Sequence, residues 1–291
     1  MTKPPSFEAV CARALKLPCS PALLPRLTAV LHHEDSTAAE LEEIIRLDAP
    51  LASSTLRLGN SAYFAASVPV ETISDAILRL GHREIYRLAA LSIAGRWMDV
   101  SVDGYRWEAG DFCRHALCRA IAAEHLAERT KLADSGLAYT AGLVCTSGKL
   151  AIAYACGDWF ATIRQRQQEQ GCTWIEAERA VLGYDYAQAG AALLKSWRFP
   201  PSLVAAAEFQ LKPAQGPEEA RPLLAVLHAA QYLATAMGAG VSEDGFLFEL
   251  DGGFLTGFGF TEEVLGRALP IVLERALAIL QDRLLVGRVK F

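Results

Sequence analysis

Leu56–Leu91 reads LRLGNSAYFAASVPVETISDAILRLGHREIYRLAAL. Apolar residues recur at helical spacing on both sides of Gly81. Ile77, Leu78 and Leu80 precede it, and a second run extends from about Arg83 to Trp97. Ser74 is placed to cap the first run and Gly81 to end it. The GNSAYF block at Gly59–Phe64 interrupts the pattern with residues that favour turns and caps. The stretch predicts short helices joined by tight turns.

The same grammar continues outward. Ser20-Pro21 has the form of a helix start. Thr37-Ala38-Ala39-Glu40 has the form of a capping box, and the helix behind it places Leu41, Ile44, Ile45 and Leu47 inward. Asp48-Ala49-Pro50 closes that helix and opens the next. Val100–Gly110 lacks an apolar period and reads as a hinge between two helical lobes. A long helix follows from about Phe112 to Thr130. Asp134 caps a helix to Val144, Ser147 a short one beyond it, and Thr173 with Glu176 another that stops at Gly183. Gly190–Trp197, Ser202–Leu211, Arg221–Met237 and Glu262–Leu285 complete the set, with Pro270 breaking or kinking the last. Gly245–Phe260, rich in Gly and Phe, reads as a packed loop or a hairpin around Asp251-Gly252-Gly253. Exposed, its phenylalanines would form a partner site; packing under the last helix is the favoured expectation. The sum is an all-α fold of two packed helical lobes, residues 1–100 and 101–291, forming one continuous unit.

Bulk properties narrow the function. Of 291 residues, 52% are hydrophobic and 21% charged, which suits a compact protein. The net charge of −5 gives no global case for binding nucleic acid or anionic lipid. The N-terminus lacks the apolar core of a signal peptide, so a cytoplasmic location is expected. Pro222–Val241 is nearly long enough to span a bilayer, but His228, Gln231, Tyr232 and Thr235 make it a core helix instead. Seven cysteines with no C-x-x-C pair read as free thiols rather than a zinc site.

Leu56–Leu91 resembles the signature of the HDOD family, bacterial relatives of the HD metal-dependent phosphohydrolases that usually lack the catalytic residues. The resemblance covers roughly Pro18–Leu211 and implies that the second lobe is HD-like. It also says where the metal ligands would stand. FCRHALCRAIAAEHLAER resembles the helix with the first family histidine, which falls at His115. In LVCTSGKL, Cys145 and Thr146 stand where the His-Asp pair belongs. In LGYDYAQAGAALLKSWRFP a histidine would fall near Tyr186; two more would fall near Phe209 and Gln210, and the last aspartate near Gln231. One imidazole cannot hold a catalytic metal cluster, so neither a metal nor another cofactor is expected. His115 then reads as a hydrogen-bonded interior histidine.

Three readings follow from the resemblance. The first is a non-enzymatic bacterial signalling adaptor with a signalling protein as partner. The second is a sensor for a nucleotide or cyclic dinucleotide, using the vestigial pocket lined by His115, Cys145, Thr146 and Tyr186. The third is a divergent phosphohydrolase or cyclic-dinucleotide phosphodiesterase. Asn60 and Ser61 either bond locally to backbone or line a groove between the lobes. Lys149, after Gly148 at a helix start, is placed either to bind an anion or to project into water. A thiol-nucleophile site of Cys145 and His115 is the remote catalytic option.

Overall fold

The computed structural model describes residues 4–14, 24–31, 37–60, 64, 69–95, 102–239 and 249–281. Among the described residues there is no strand, only an isolated antiparallel bridge between Val102 and Trp107. The expected helix start at Ser20-Pro21, Ser61, and residues 245–248 and 282–285 lie outside the described residues.

Before residue 100 the helices are α1 (Phe7–Ala14), α2 (Leu24–Leu31), α3 (Ala38–Arg46), α4 (Ala49–Gly59) and α5 (Ile73–Gly95). The capping box forms, with Glu40 N–H donating to Thr37 Oγ1 (3.3 Å) and Thr37 N–H to Glu40 Oε2 (3.0 Å). Leu41, Ile44 and Ile45 are buried, but Leu47 is 64% exposed. It is the C-cap residue, already off the inward face. Asp48 caps α4 through the Leu51 N–H (3.0 Å). α5 is capped by Thr72 rather than Ser74, with Asp75 N–H donating to Thr72 Oγ1 (3.1 Å). At Gly81 (φ 77°, ψ 162°) the backbone leaves helical geometry, so α5 is two helices meeting at a glycine kink.

The second lobe contains α6 (Asp111–Thr130), α7 (Ser135–Val144), α8 (Gly148–Ala155), α9 (Phe160–Gln170), α10 (Trp174–Leu182), α11 (Tyr186–Ser196), α12 (Pro201–Phe209), α13 (Arg221–Ala236), α14 (Gly252–Gly257) and α15 (Glu262–Gln281). α6 is its axis. It is packed by α7, α13 and α15 within the lobe and by α5 from the first lobe. It is buried on nearly every side from Phe112 to Ala127, including Arg119, Glu124 and His125. Being buried all round, it is not the amphipathic surface helix that its charges suggest.

Four expectations need correction. Val102–Gly110 is not an open connector: Tyr105 and Trp107 are fully buried, and the Tyr105 ring packs on Phe160 (4.9 Å) and Trp174 (5.7 Å). α1 lies outside the division at residue 100. It packs on α8 and α11, with Arg13 Nη1 donating to the Ala155 carbonyl (3.1 Å). The Gly/Phe-rich stretch is neither loop nor hairpin over its described part. Asp251 caps the short α14 through Phe254 N–H (2.9 Å), and Leu255 and Phe260 are buried. α15 runs through Pro270 as one helix. Among the described residues, no helix is long and apolar enough to cross a membrane.

Candidate functional site

Two close helix contacts build the site. A Cβ added at Gly142 would stand 2.8 Å from Ala120 Cα and 2.9 Å from the Arg119 carbonyl, so α7 lies directly on α6. A Cβ at Gly148 would stand 1.8 Å from the Tyr186 carbonyl and 2.5 Å from Gly190 N, so α8 lies directly on α11. Between these contacts the chain passes through Cys145, Thr146 and Ser147. Ser147 does not cap α8: its hydroxyl is buried without a hydrogen-bond partner, as is that of Thr146.

A polar network crosses this junction. Arg119, 1% exposed, donates from Nη1 to Gln210 Oε1 (2.6 Å). Gln210 Nε2 donates to the carbonyls of Cys145 (2.6 Å) and Ala207 (2.9 Å). Asp251 N–H donates to His228 Nε2 (3.0 Å), so the His228 proton is on Nδ1, facing the Gln210 carbonyl (3.1 Å). His115 Nδ1 faces the Ala239 carbonyl (2.9 Å), which fixes its proton there too. The His115 pKa is lowered to about 3, chiefly by burial and then by the Lys149 charge, against the raising effect of the Ala239 and Gln231 hydrogen bonds. The ring is therefore neutral at physiological pH. Burial likewise raises the Cys145 pKa, which favours the thiol over the thiolate.

Lys149 is not an exposed lysine. It is 3% exposed, with Nζ 4.3 Å from the Trp107 ring centre, 4.9 Å from Tyr186 and 5.6 Å from Tyr105. Such a box of π faces suits a buried ammonium. Next to it, buried Glu178 accepts from Tyr105 Oη (2.6 Å), Trp174 Nε1 (2.8 Å) and Tyr186 N–H (2.8 Å).

Of the residues singled out from sequence, the structure gathers His115, Cys145, Gln210 and Gln231 with Arg119, and Tyr186 with Lys149. Phe209 is half-buried, its Cβ turned towards Gly216. Asn60 bonds locally: its amide accepts from Val70 N–H (2.7 Å) and donates to the Val70 (2.8 Å) and Leu56 (3.1 Å) carbonyls. Ser61 is outside the described residues. Sequence reading missed Arg119, Trp107, Tyr105 and Glu178. A readable signal existed for Arg119: it stands one turn after His115, a cation on the same face of a helix otherwise rich in Ala, Leu and Ile.

A divalent metal does not fit these residues. Among the described residues no three His, Cys, Asp or Glu side chains come together as ligands. The donors at the junction are the imidazoles of His115 and His228, a high-pKa thiol, two hydroxyls and amides, beside two buried cations, Arg119 and Lys149. Hard divalent ions need carboxylates, and both cations oppose a further positive charge.

Comparison with known proteins agrees with this architecture. The HDOD domain model matches residues 17–213. An HDOD domain protein from Geobacter sulfurreducens superposes with a TM-score of 0.68 at 20% identity, covering 95% of this chain and 99% of that one. A provisionally assigned phosphohydrolase from Shewanella amazonensis SB2B gives 0.62 at 26% identity, covering 96% of each. A provisionally assigned signal transduction protein from Marinobacter aquaeolei VT8 gives 0.69 at 22%, covering 94% of this chain and 60% of that one. An uncharacterised Treponema pallidum (strain Nichols) protein is 23% identical over 211 residues, and the chain spans 40% of its length. Fold and site together define an all-α protein with an HD-like helical lobe. The chain belongs to the HDOD domain family.

Proposed function

We propose that this chain is a non-catalytic regulatory protein of a bacterial signalling pathway, acting by binding a protein partner or a small ligand. The observation that carries this reading is the content of the junction. By the family resemblance, Cys145, Thr146, Tyr186, Phe209, Gln210 and Gln231 take the places of the HD ligands, and the cations Arg119 and Lys149 are buried beside His115. The likeness to the Marinobacter signal transduction protein is consistent with the pathway class. A second reading, a divergent metal-dependent phosphohydrolase, draws on the likeness to the Shewanella protein.

Metal analysis by plasma mass spectrometry, paired with a generic phosphodiesterase assay, separates the two. The expected result is no stoichiometric iron, manganese or zinc and no turnover, for wild type and His115→Ala alike. Stoichiometric metal with turnover that falls on His115→Ala would overturn the proposal.

A further inference from the structure

α15 has two apolar rows, and the packing of the second lobe uses one of them. Leu265, Ala268, Val272, Ala276 and Leu280 are buried, and α15 packs there on α6 and α13. Their steps of three and four residues are those of a single helix face. The other row faces solvent. Val264 is 39% exposed, Ile271 is 43% exposed, and Ala278 is exposed as well. These three stand seven residues apart, so they form a line along the helix that drifts by only about 20° per heptad. A water-facing row ordinarily carries Lys, Glu or Arg. Isolated exposed apolar residues are commonplace, whereas three in heptad register have the layout of one side of a helix–helix seam.

The charges beside this row are self-complementary. Arg267 follows Val264 by three residues, Glu274 follows Ile271 by three, and both are exposed. Arg267 contacts Glu263 one turn back, but both side chains are largely in water, so the pair is worth little and Arg267 is free to exchange it. Arg275, on the other flank, is engaged by Glu128 of α6 (3.2 Å). A second α15 laid antiparallel on the first, with a two-fold axis at Ile271, sets Ile271 against its own copy and Val264 against Ala278. It also sets Arg267 opposite Glu274, and the symmetry repeats that pair. A parallel pair in register would instead oppose arginine to arginine and glutamate to glutamate, which is repulsive.

We infer that the outer face of α15 is a self-association surface, through which two copies of this chain pair antiparallel about a two-fold axis at Ile271. The seam from Val264 to Ala278 is about 21 Å long at the rise of an α-helix. That is small for a stable interface, so the dimer is weak and reversible, with a Kd on the order of 10–100 µM. The row faces solvent rather than the junction, so the inference stands whether or not the chain is catalytic.

The test is sedimentation velocity of the full chain over roughly 2–200 µM, a range that brackets this affinity. A monomer–dimer equilibrium is expected. Ile271→Glu buries two carboxylates at the axis and should leave a monomer throughout. Arg267→Glu and Glu274→Arg each oppose like charges and should each weaken the dimer about five- to tenfold. The double variant Arg267→Glu/Glu274→Arg restores opposite charges across the seam and should regain wild-type affinity. All these side chains are exposed, so thermal melts of the variants should match wild type. Should Ile271→Glu melt early, the charge-swap series decides. A wild-type chain that stays monomeric at the highest concentration would overturn the inference. A dimer that survives Ile271→Glu would overturn it too, by placing the interface elsewhere. A double variant as weak as the two singles would refute the antiparallel register.

Discussion

Glu178 shows how burial and hydrogen bonding compete at a single residue. Three donors reach its carboxylate, from Tyr105, Trp174 and Tyr186, and each favours the ionised form. Burial outweighs them and, with the Asp185 charge adding, pushes the pKa up to about 8. An unfolded chain releases this proton near the ordinary value of 4.5, whereas the folded chain keeps it. Above about pH 4.5 the folded state therefore binds more protons, and its stability falls as pH rises towards 8. Glu178→Gln has no proton to lose. The drop in Tm between pH 6.5 and 8.0 should shrink in this variant, as thermal melts at the two pH values will check; an unchanged drop would place the pH dependence elsewhere. Nothing in the sequence singled out Glu178, because its environment comes from Tyr105, 73 positions away along the chain. His115 was legible because a family motif marks its place, whereas the Arg119 contact to Gln210 joins residues 91 positions apart.

The elements themselves were largely legible, because their ends are written locally. Thr37, Asp48, Asp134 and Thr173 each cap the helix that their sequence context predicts. Local signals failed where packing overrides them, as at Val102–Gly110, whose lack of period concealed the buried Tyr105 and Trp107. They also failed to say which glycines bring helices together. Gly148 and Gly190 let α8 and α11 meet backbone to backbone, and this sets Tyr186 beside Lys149. Gly148→Ala should therefore cost roughly 2–3 kcal/mol, since the new Cβ meets backbone that cannot swing aside. Gly266→Ala is the contrasting case. Gly266 is an exposed position in α15 with nothing within 4 Å of the added Cβ, so this change should stabilise by about 0.5–1 kcal/mol through helix propensity. Urea unfolding of the pair checks both signs; equal effects would mean that the α8–α11 contact yields more easily than its geometry implies.

At the scale of the whole molecule, the two lobes meet where α5 packs on α6 and α7. A boundary at residue 100 follows composition, yet α1 crosses it: Phe7 packs on the Tyr184 ring (5.4 Å), and Tyr184 Oη donates to the Pro5 carbonyl (2.9 Å). The chain thus returns its N-terminal helix to the second lobe, a long-range contact that no local pattern encodes. Arg87 supplies a charged link across the lobe contact. Its Nη2 lies 3.6 Å from Oε2 of buried Glu124 on α6, and its guanidinium stands over the Tyr139 ring of α7 at 6.0 Å. Glu124 is 2% exposed while Arg87 is about a quarter exposed, so solvent screens the pair only from one side. Arg87→Ala should lower stability by about 1–2 kcal/mol. The loss should concentrate at the lobe contact, so hydrogen exchange ought to quicken in α5 and stay slow in α13, which packs on the far side of the junction network. Uniform quickening in both helices would show instead that the lobes unfold as one cooperative unit, with Arg87 contributing only to its global stability.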